Sequence, residues 1–381
     1  MNPKLNITIK LFENLEPRVL LSGFKGYTPS QIRHAYGIDQ ISFQTTVMKR
    51  IGRGNYIPVQ KNVAGDGTGQ TIAIVNAFRP IDIKGDLATF SKKYKLPMTD
   101  GYGKPVLTIA QPQGKPPVNG AWATETAMDV EWAHAIAPRA HILLVQAISD
   151  STDDLLTAID YARNQPGVVA ISLSWGGSGS PFDTSNNTFL TTPAGHIGGS
   201  GYANSGIAFV TSSGDEGVVS AWPASSPNVI TVGGTTLTLD SRNNIKTEVA
   251  WSGTGGGANA GDHDMTADVA YSGDPNIGFS VFCSTPDSGY VGWQTLAGTS
   301  GGTPQWAGLI AIADQGRAYQ GKVSLDTATQ LHQLIYDLPD EDFNDIITGS
   351  NAAFSASVGV DKLTGRGTPR AVSLIRDLVG Y

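Results

Sequence analysis

Between residues 70 and 235, short apolar runs alternate with stretches whose apolar residues recur at helical spacing. The runs are rich in β-branched residues and lack polar alternation, which is typical of strands buried on both faces. The six predicted strands lie at 70–78, 106–110, 141–147, 168–175, 207–213 and 229–235. The three predicted helices lie at 85–96, 123–137 and 151–165. This alternation predicts an α/β fold in which helices cover both faces of a mostly parallel sheet.

A parallel sheet of this kind binds its ligand beyond the carboxyl ends of its strands. The chain has 381 residues, of which 40% are hydrophobic and 15% charged, so it can form a substantial core. Composition does not break within 27–381, and we predict one large domain there. Residues 1–26 are predicted to form a leader or a flexible N-terminal arm.

Charge and hydropathy exclude several classes of function. The net charge is −7 and no block of Lys and Arg occurs, which argues against nucleic acid as a partner. No apolar stretch approaches the ~20 residues that a membrane-spanning helix needs. Cys283 is the only cysteine, so no disulfide can form within the chain.

Ser300 is the candidate nucleophile. It stands in Gly298-Thr299-Ser300-Gly301-Gly302, and Pro304 and an apolar run follow. Proline suits the first turn of a helix, so Ser300 is expected at the positive end of that helix, which favours a developing oxyanion. A serine flanked by glycines is also typical of an ordinary turn or helix cap.

The same segment fits G-x-S-x-G, the nucleophile elbow of α/β-hydrolases. That fold requires an acid and then a histidine downstream of the serine. Only His332 follows Ser300, and Asp326 is the acid that most closely precedes it. Six residues within one helical stretch are a poor arrangement for such a pair, which disfavours this alternative.

Three acids are candidate partners for Ser300. Glu125 and Asp129 are four residues apart on a predicted helix and therefore share one of its faces. Such a pair is unfavourable unless the two groups share a proton, which raises one apparent pKa. Asp215 directly follows a predicted strand. The alternatives are a solvated acidic stripe for the pair and an ordinary turn for Asp215.

Taken together, these segments resemble the sedolisins, the serine-carboxyl peptidases with a subtilisin-like fold, and their kumamolisin-like branch most of all. The chain has the G-T-S-x-x-x-P pattern around Ser300, E-x-x-x-D from Glu125 to Asp129 with A-P-R-A at 137–140, and S-S-G-D-E-G at 212–217. Further similar blocks lie at 27–38, 171–177, 222–235 and 267–279. The resemblance spans 27–381, and the order and spacing of its motifs make it specific.

The resemblance implies an endopeptidase that hydrolyses proteins or peptides. It assigns Ser300 as nucleophile, Glu125 as general base, Asp129 as the acid that orients Glu125, and Asp215 as an oxyanion donor. An unperturbed imidazole is only ~0.3% neutral at pH 4, whereas an ordinary carboxyl group is about half ionised there and can act as a base. A donor made from Asp must hold its proton, so an acid pH optimum is expected.

By the same resemblance, Ser174, Trp175 and Gly176 form a substrate-binding edge. For Trp175, a place in the core at the end of a strand is an equal alternative. Many members of the family have an acid near the end of the first sheet strand, where this chain has Asn76. An amide can donate a hydrogen bond but cannot take up the proton.

The resemblance also implies a Ca²⁺ site near the C-terminus. Its ligands would be the carboxylates of Asp345 and Asp361 and the backbone carbonyl groups of Ile346, Ser357 and Gly359. Ligands that are all oxygen atoms at turns suit calcium. The alternative is an acidic loop that binds no ion.

A second functional class remains open, namely a non-catalytic relative that acts as a surface or binding protein. Retention of all four candidate catalytic residues argues against it. We expect a monomer, and a secreted or cell-surface location.

Overall fold

The structure is a computed structural model, and it describes residues 26–176, 184–217, 222–256 and 267–381. The predicted leader lies almost entirely outside these residues. Seven helices are described: α1 (Pro29–Ala35), α2 (Ile83–Tyr94), α3 (Gly120–Ile136), α4 (Thr152–Arg163), α5 (Thr299–Tyr319), α6 (His332–Asp337) and α7 (Ala371–Gly380). None of the described helices is both long and apolar enough to cross a bilayer.

The described strands form one large sheet and three two-stranded sheets. The large sheet contains β3 (Thr71–Ala77), β4 (Leu107–Ala110), β5 (His141–Ala147), β6 (Val168–Leu173), β7 (Ala208–Ser212), β8 (Ile230–Leu239), β9 (Ile245–Ala250) and β10 (Val269–Ser272). The small sheets pair β1 (Ser42–Arg50) with β2 (Tyr56–Ala64), β11 (Phe279–Asp287) with β12 (Tyr290–Leu296), and β13 (Phe343–Asn344) with β14 (Thr368–Pro369).

Seven strands of the large sheet run parallel in the order β10-β8-β7-β6-β3-β5-β4, and β9 joins β8 in antiparallel orientation. The interior strand β3 is the first strand of the sheet in the sequence, and later strands lie on both of its sides. This is the subtilisin-like, mostly parallel α/β architecture that the sequence predicts. All six predicted strands are present, with ends that differ by at most four residues.

Alternation along the strands divides the core into two layers. Ile72 and Ile74 of β3 belong to the larger layer, which α3 and α5 cover. Ala73 and Val75 face the opposite layer, which includes the apolar face of α4. Because side chains alternate with a period of two, Asn76 lies on the same side of the sheet as α3 and α5.

Candidate active site

Three polar side chains lie at or just beyond the carboxyl ends of neighbouring strands. Asn76 is the penultimate residue of β3, Ser174 follows β6, and Asp215 lies in the loop after β7. Ser172 is paired with Ile74 across β6 and β3, so Ser174 and Asn76 are level with each other two residues further on. The predicted place for a ligand site is therefore occupied by polar groups.

Helix α3 carries both predicted acids of the pair. The Asn119 side chain caps its first turn by accepting a hydrogen bond from the Trp122 N–H at 3.1 Å. The helix is alanine-rich, and 15 of its 17 residues are buried, Glu125 and Asp129 among them. The pair is therefore not a solvated stripe, and each acid requires a partner for its polar atoms.

The Asp129 carboxyl group accepts two hydrogen bonds from the sheet side. Asn76 Nδ2 donates to Oδ2 at 2.8 Å, and Ser174 Oγ donates to Oδ1 at 2.6 Å. Asn76 Nδ2 also donates to Thr126 Oγ1 at 3.2 Å, on the same helix. The neutral amide thus occupies the place where the resemblance predicts an additional acid, and it contacts Asp129 directly.

Burial raises the pKa of Asp129 to about 7, although the hydrogen bonds from Ser174 and Asn76 act to lower it. The buried carboxyl group therefore keeps its proton throughout the acidic range. A carboxylate at position 76 would place a negative charge beside Asp129 and raise the pKa of Asp129 further. The neutral amide of Asn76 adds no such charge.

Helix α5 begins at Thr299, and 19 of its 21 residues, including Ser300, are buried. Ser300 is thus the second residue of the helix, where backbone N–H groups have no partner within the helix. Pro304 is the sixth residue, so the expectation that it lies in the first turn is wrong. Proline has no N–H, so the Ser300 carbonyl oxygen does not accept the usual helical hydrogen bond from residue 304. Ser174 Oγ instead approaches that carbonyl oxygen at 3.4 Å.

Ser174 connects the acid helix to the serine helix. Its hydroxyl group contacts Asp129 at 2.6 Å, and its carbonyl oxygen accepts a bond from Ser300 Oγ at 3.4 Å. From the sequence, Ser174 was expected only in a substrate-binding edge. Its position one residue past a strand, on the α3 side, was the signal for this additional role.

Asp215 is held at the start of α5 by the residue that precedes Ser300. Both the N–H and the hydroxyl group of Thr299 donate to Asp215 Oδ1 at 2.8 Å. The Gly214 N–H donates to Thr299 Oγ1 at 3.1 Å, so the loop that carries Asp215 is bonded to Thr299 at a second point. This role of Thr299 was not predicted from the sequence.

Desolvation of the carboxyl group by burial raises the pKa of Asp215, while the two hydrogen bonds from Thr299 act to lower it. The residue as a whole is solvent-exposed, so we expect the upward shift to be moderate. Gly298 allows this close approach, since a Cβ there would collide with Asp215 Oδ2, and its φ of +118° also favours glycine.

The Trp175 side chain faces the opposite side of the sheet from Ser174. Only 2% of it is exposed, its Nε1 donates to the Val75 carbonyl at 2.7 Å, and its ring packs beside Trp222. This placement favours a core role for the indole ring. Ser174 is buried as well, so Gly176 is the one residue of the predicted edge that is partly exposed.

His332, the histidine that the α/β-hydrolase alternative requires, is engaged elsewhere. Its Nε2 lies 3.1 Å from Asp268 Oδ1, and its ring packs beside Tyr336. Tyr336 also donates its hydroxyl proton to Asp268 at 2.6 Å. The hydrogen bonds of Ser300 and Asp129 described above involve no histidine.

The two segments with the predicted calcium ligands lie together. The Gly359 N–H donates to Asp345 Oδ2 at 2.9 Å. Asp361 accepts bonds from the N–H groups of Ser357, Leu363 and Thr364 and from the Thr364 hydroxyl, at 2.8 to 3.2 Å. Within the described part of the chain no group of three or more His, Cys, Asp or Glu side chains could hold a metal.

This donor set fits calcium in kind, since it comprises two carboxylates among backbone carbonyl groups. Asp361 leaves the least room for a cation, because four protein groups already donate hydrogen bonds to its carboxylate. A cation bound there would have to share the oxygen atoms with these N–H groups.

Similarity to known proteins agrees with this geometry. Residues 118–342 match the profile of the peptidase S8 or subtilase family. Kumamolisin from Bacillus sp. (strain MN-32) is 29% identical over 363 residues, covering 82% of this chain and 61% of kumamolisin. Sedolisin from Pseudomonas sp. (strain 101) is 30% identical over 202 residues, covering 44% and 34% of the two chains.

The chain therefore spans about three fifths of the length of kumamolisin. The structure of Pseudomonas sedolisin complexed with two molecules of pseudo-iodotyrostatin superposes with a TM-score of 0.72 at 20% identity, covering 94% of this chain and 99% of that one. The subtilisin-like fold and the predicted resemblance to sedolisins are thus confirmed. The chain belongs to the subtilase family of peptidases, and within that family it resembles the sedolisins.

Proposed function

We propose that the chain is an acid-active serine-carboxyl endopeptidase with Ser300 as nucleophile, Glu125 and Asp129 as its acid pair, and Asp215 as an oxyanion donor. The observation that carries this proposal is the pair of connections at the start of α5. Ser174 joins Asp129 to Ser300, and Thr299 joins Asp215 to the same turn. Asp129 and Asp215 are thus each linked to Ser300 through one intervening residue, Ser174 and Thr299 respectively.

In the proposed mechanism, Ser300 Oγ attacks the carbonyl carbon of the substrate peptide, and its proton passes to the Glu125 carboxylate. The oxyanion accepts hydrogen bonds from protonated Asp215 and from the Ser300 N–H. Glu125 then protonates the leaving amine as the C–N bond breaks. Water attacks the acyl-enzyme in the reverse sense, with Glu125 again acting as base.

Asp129 is proposed to act through its proton. Since burial raises the pKa of Asp129 to about 7, the group is neutral at acid pH and avoids a second negative charge beside Glu125. Asn76 and Ser174 each donate a hydrogen bond to the Asp129 carboxyl group, so we assign both as positioning residues.

Proteins and peptides are the proposed substrates, and the backbone at 174–176 is the proposed edge that contacts them. An exported or cell-surface location suits an acid optimum.

The pH dependence of proteolysis tests this proposal. Asp215 donates only when protonated, so activity is expected to fall as pH rises through its raised pKa. Activity should also fall at very low pH, where a carboxylate base becomes protonated. We expect cleavage of denatured casein to peak clearly below neutral pH. A maximum near pH 7 would contradict an Asp donor, and absence of cleavage at every pH would favour the non-catalytic alternative.

We also propose that Ca²⁺ binds between the Asp345 and Asp361 segments. Calcium at about a hundredfold above its dissociation constant stabilises a fold by about 2.7 kcal/mol. Thermal unfolding should therefore shift upward by a few degrees on adding calcium to chelated protein. The Asp345→Asn variant should lose this shift, while Asp337→Asn, an exposed carboxyl group on α6, should retain it. An equal shift in both variants, or none in the wild type, would contradict the site.

A further inference from the structure

The β1–β2 hairpin (42–64) projects from the body of the protein. At its base, Gln315 Nε2 donates to the Ala64 carbonyl at 3.0 Å, and the ring of Phe43 lies 6.1 Å from that of Tyr319. Beyond the base, neither strand packs extensively against another described element. Two nine-residue strands reach about 30 Å, so the tip is held far from its anchor.

The tip combines exposed apolar side chains with cations. Met48, Ile51 and Tyr56 expose 61%, 57% and 53% of their surfaces. Lys49, Arg50 and Arg53 lie among them, and Arg50 is paired with Tyr56 across the strands. Soluble surfaces seldom cluster large apolar residues in this way without a binding role.

Charge is distributed unevenly between the hairpin and the rest of the chain. The hairpin contains Lys49, Arg50, Arg53 and Lys61 and has no acid, so its charge is +4. The whole chain has −7, which leaves −11 for the remainder. An anionic surface would therefore attract the tip and repel the body, which sets a single orientation.

We propose that this tip docks on an anionic lipid surface, with its cations at the headgroups and Met48, Ile51 and Tyr56 in the interfacial layer. A convex ribbon tip suits a fluid interface, whereas a protein partner would need a matching cavity. Pairing with the hairpin of a second copy would bring +4 against +4. Basic residues with apolar and aromatic neighbours are the combination that binds at such an interface.

Vesicle co-sedimentation of the full chain at neutral pH tests the proposal. We expect binding to phosphatidylglycerol–phosphatidylcholine vesicles and none to phosphatidylcholine alone. Each cation near an anionic surface contributes about fivefold, so replacing Lys49, Arg50 and Arg53 with Gln should weaken binding roughly a hundredfold. Ile51→Ser with Tyr56→Ser should weaken the binding that persists at high salt.

The matched control replaces three exposed lysines elsewhere, Lys84, Lys92 and Lys246, with Gln, which changes the net charge equally. This control should retain most of the binding. Equal loss in both triple variants would show non-specific charge attraction and overturn the proposal. Failure of the wild type to bind anionic vesicles would also overturn it and leave an acidic protein as the occupant. Casein cleavage is a separate readout, so either proposal can fail alone.

Discussion

Replacing Ser300 with Ala is expected to abolish proteolysis, lowering kcat roughly 10⁴- to 10⁶-fold. The side chain is the proposed nucleophile, and without its oxygen atom no acyl-enzyme can form. Its only described hydrogen bond is a long one, 3.4 Å to the Ser174 carbonyl. Thermal stability should therefore change by no more than about 1 kcal/mol.

Ser91→Ala is the control for this change, because Ser91 is another buried serine, on α2 and outside the proposed site. Its activity should stay within a few-fold of the wild type. Casein cleavage that survives in Ser300→Ala, with both variants folded, would eliminate the serine assignment.

Glu125→Gln is expected to lower kcat roughly 10²- to 10⁴-fold, since an amide cannot accept the proton of Ser300. Helix α3 offers a matched control in Glu131, a second buried glutamate six residues further on. Glu131 Oε2 accepts a bond from the Phe282 N–H at 3.0 Å, away from Ser174 and Ser300.

Burial raises the pKa of Glu131 well above its usual value, while the Phe282 N–H acts to lower it. The neutral acid and glutamine have similar shapes, so Glu131→Gln should retain activity close to that of the wild type. Initial rates on casein at the optimum pH distinguish the two variants. Similar losses in both would indicate that buried glutamates on this helix matter for folding rather than for proton transfer.

The large sheet was predictable because its strands are apolar on both faces and because α2 and α4 have apolar residues at helical spacing. The β1–β2 hairpin was not predicted, because its strands are largely exposed and mix Thr, Gln and Lys with apolar residues. The same applies to β9, where three of six residues are charged or small and polar. Strands without a buried face leave no hydrophobic period to detect.

For the site, the sequence indicated which acids to consider but not how they are connected. Contacts such as Ser174 to Asp129 join residues 45 positions apart, and Thr299 to Asp215 joins residues 84 apart. For Trp175, the sequence left a substrate-binding edge and a place in the core as equal alternatives. Side chains of successive residues point to opposite faces of a strand. Because Ser174 lies on the α3 side, the ring of Trp175 would be expected in the opposite layer, beside Val75.

Because α3 has almost no surface of its own, its acids are shielded from changes in charge elsewhere on the molecule. Distant surface charges act through water and salt and are largely screened. Evolutionary adaptation to a different acidity would thus require substitutions in direct contact with Asp129, at Asn76 or Ser174. Such substitutions also alter the core. The pH optimum should therefore change slowly among related proteins, even where their surface residues diverge freely.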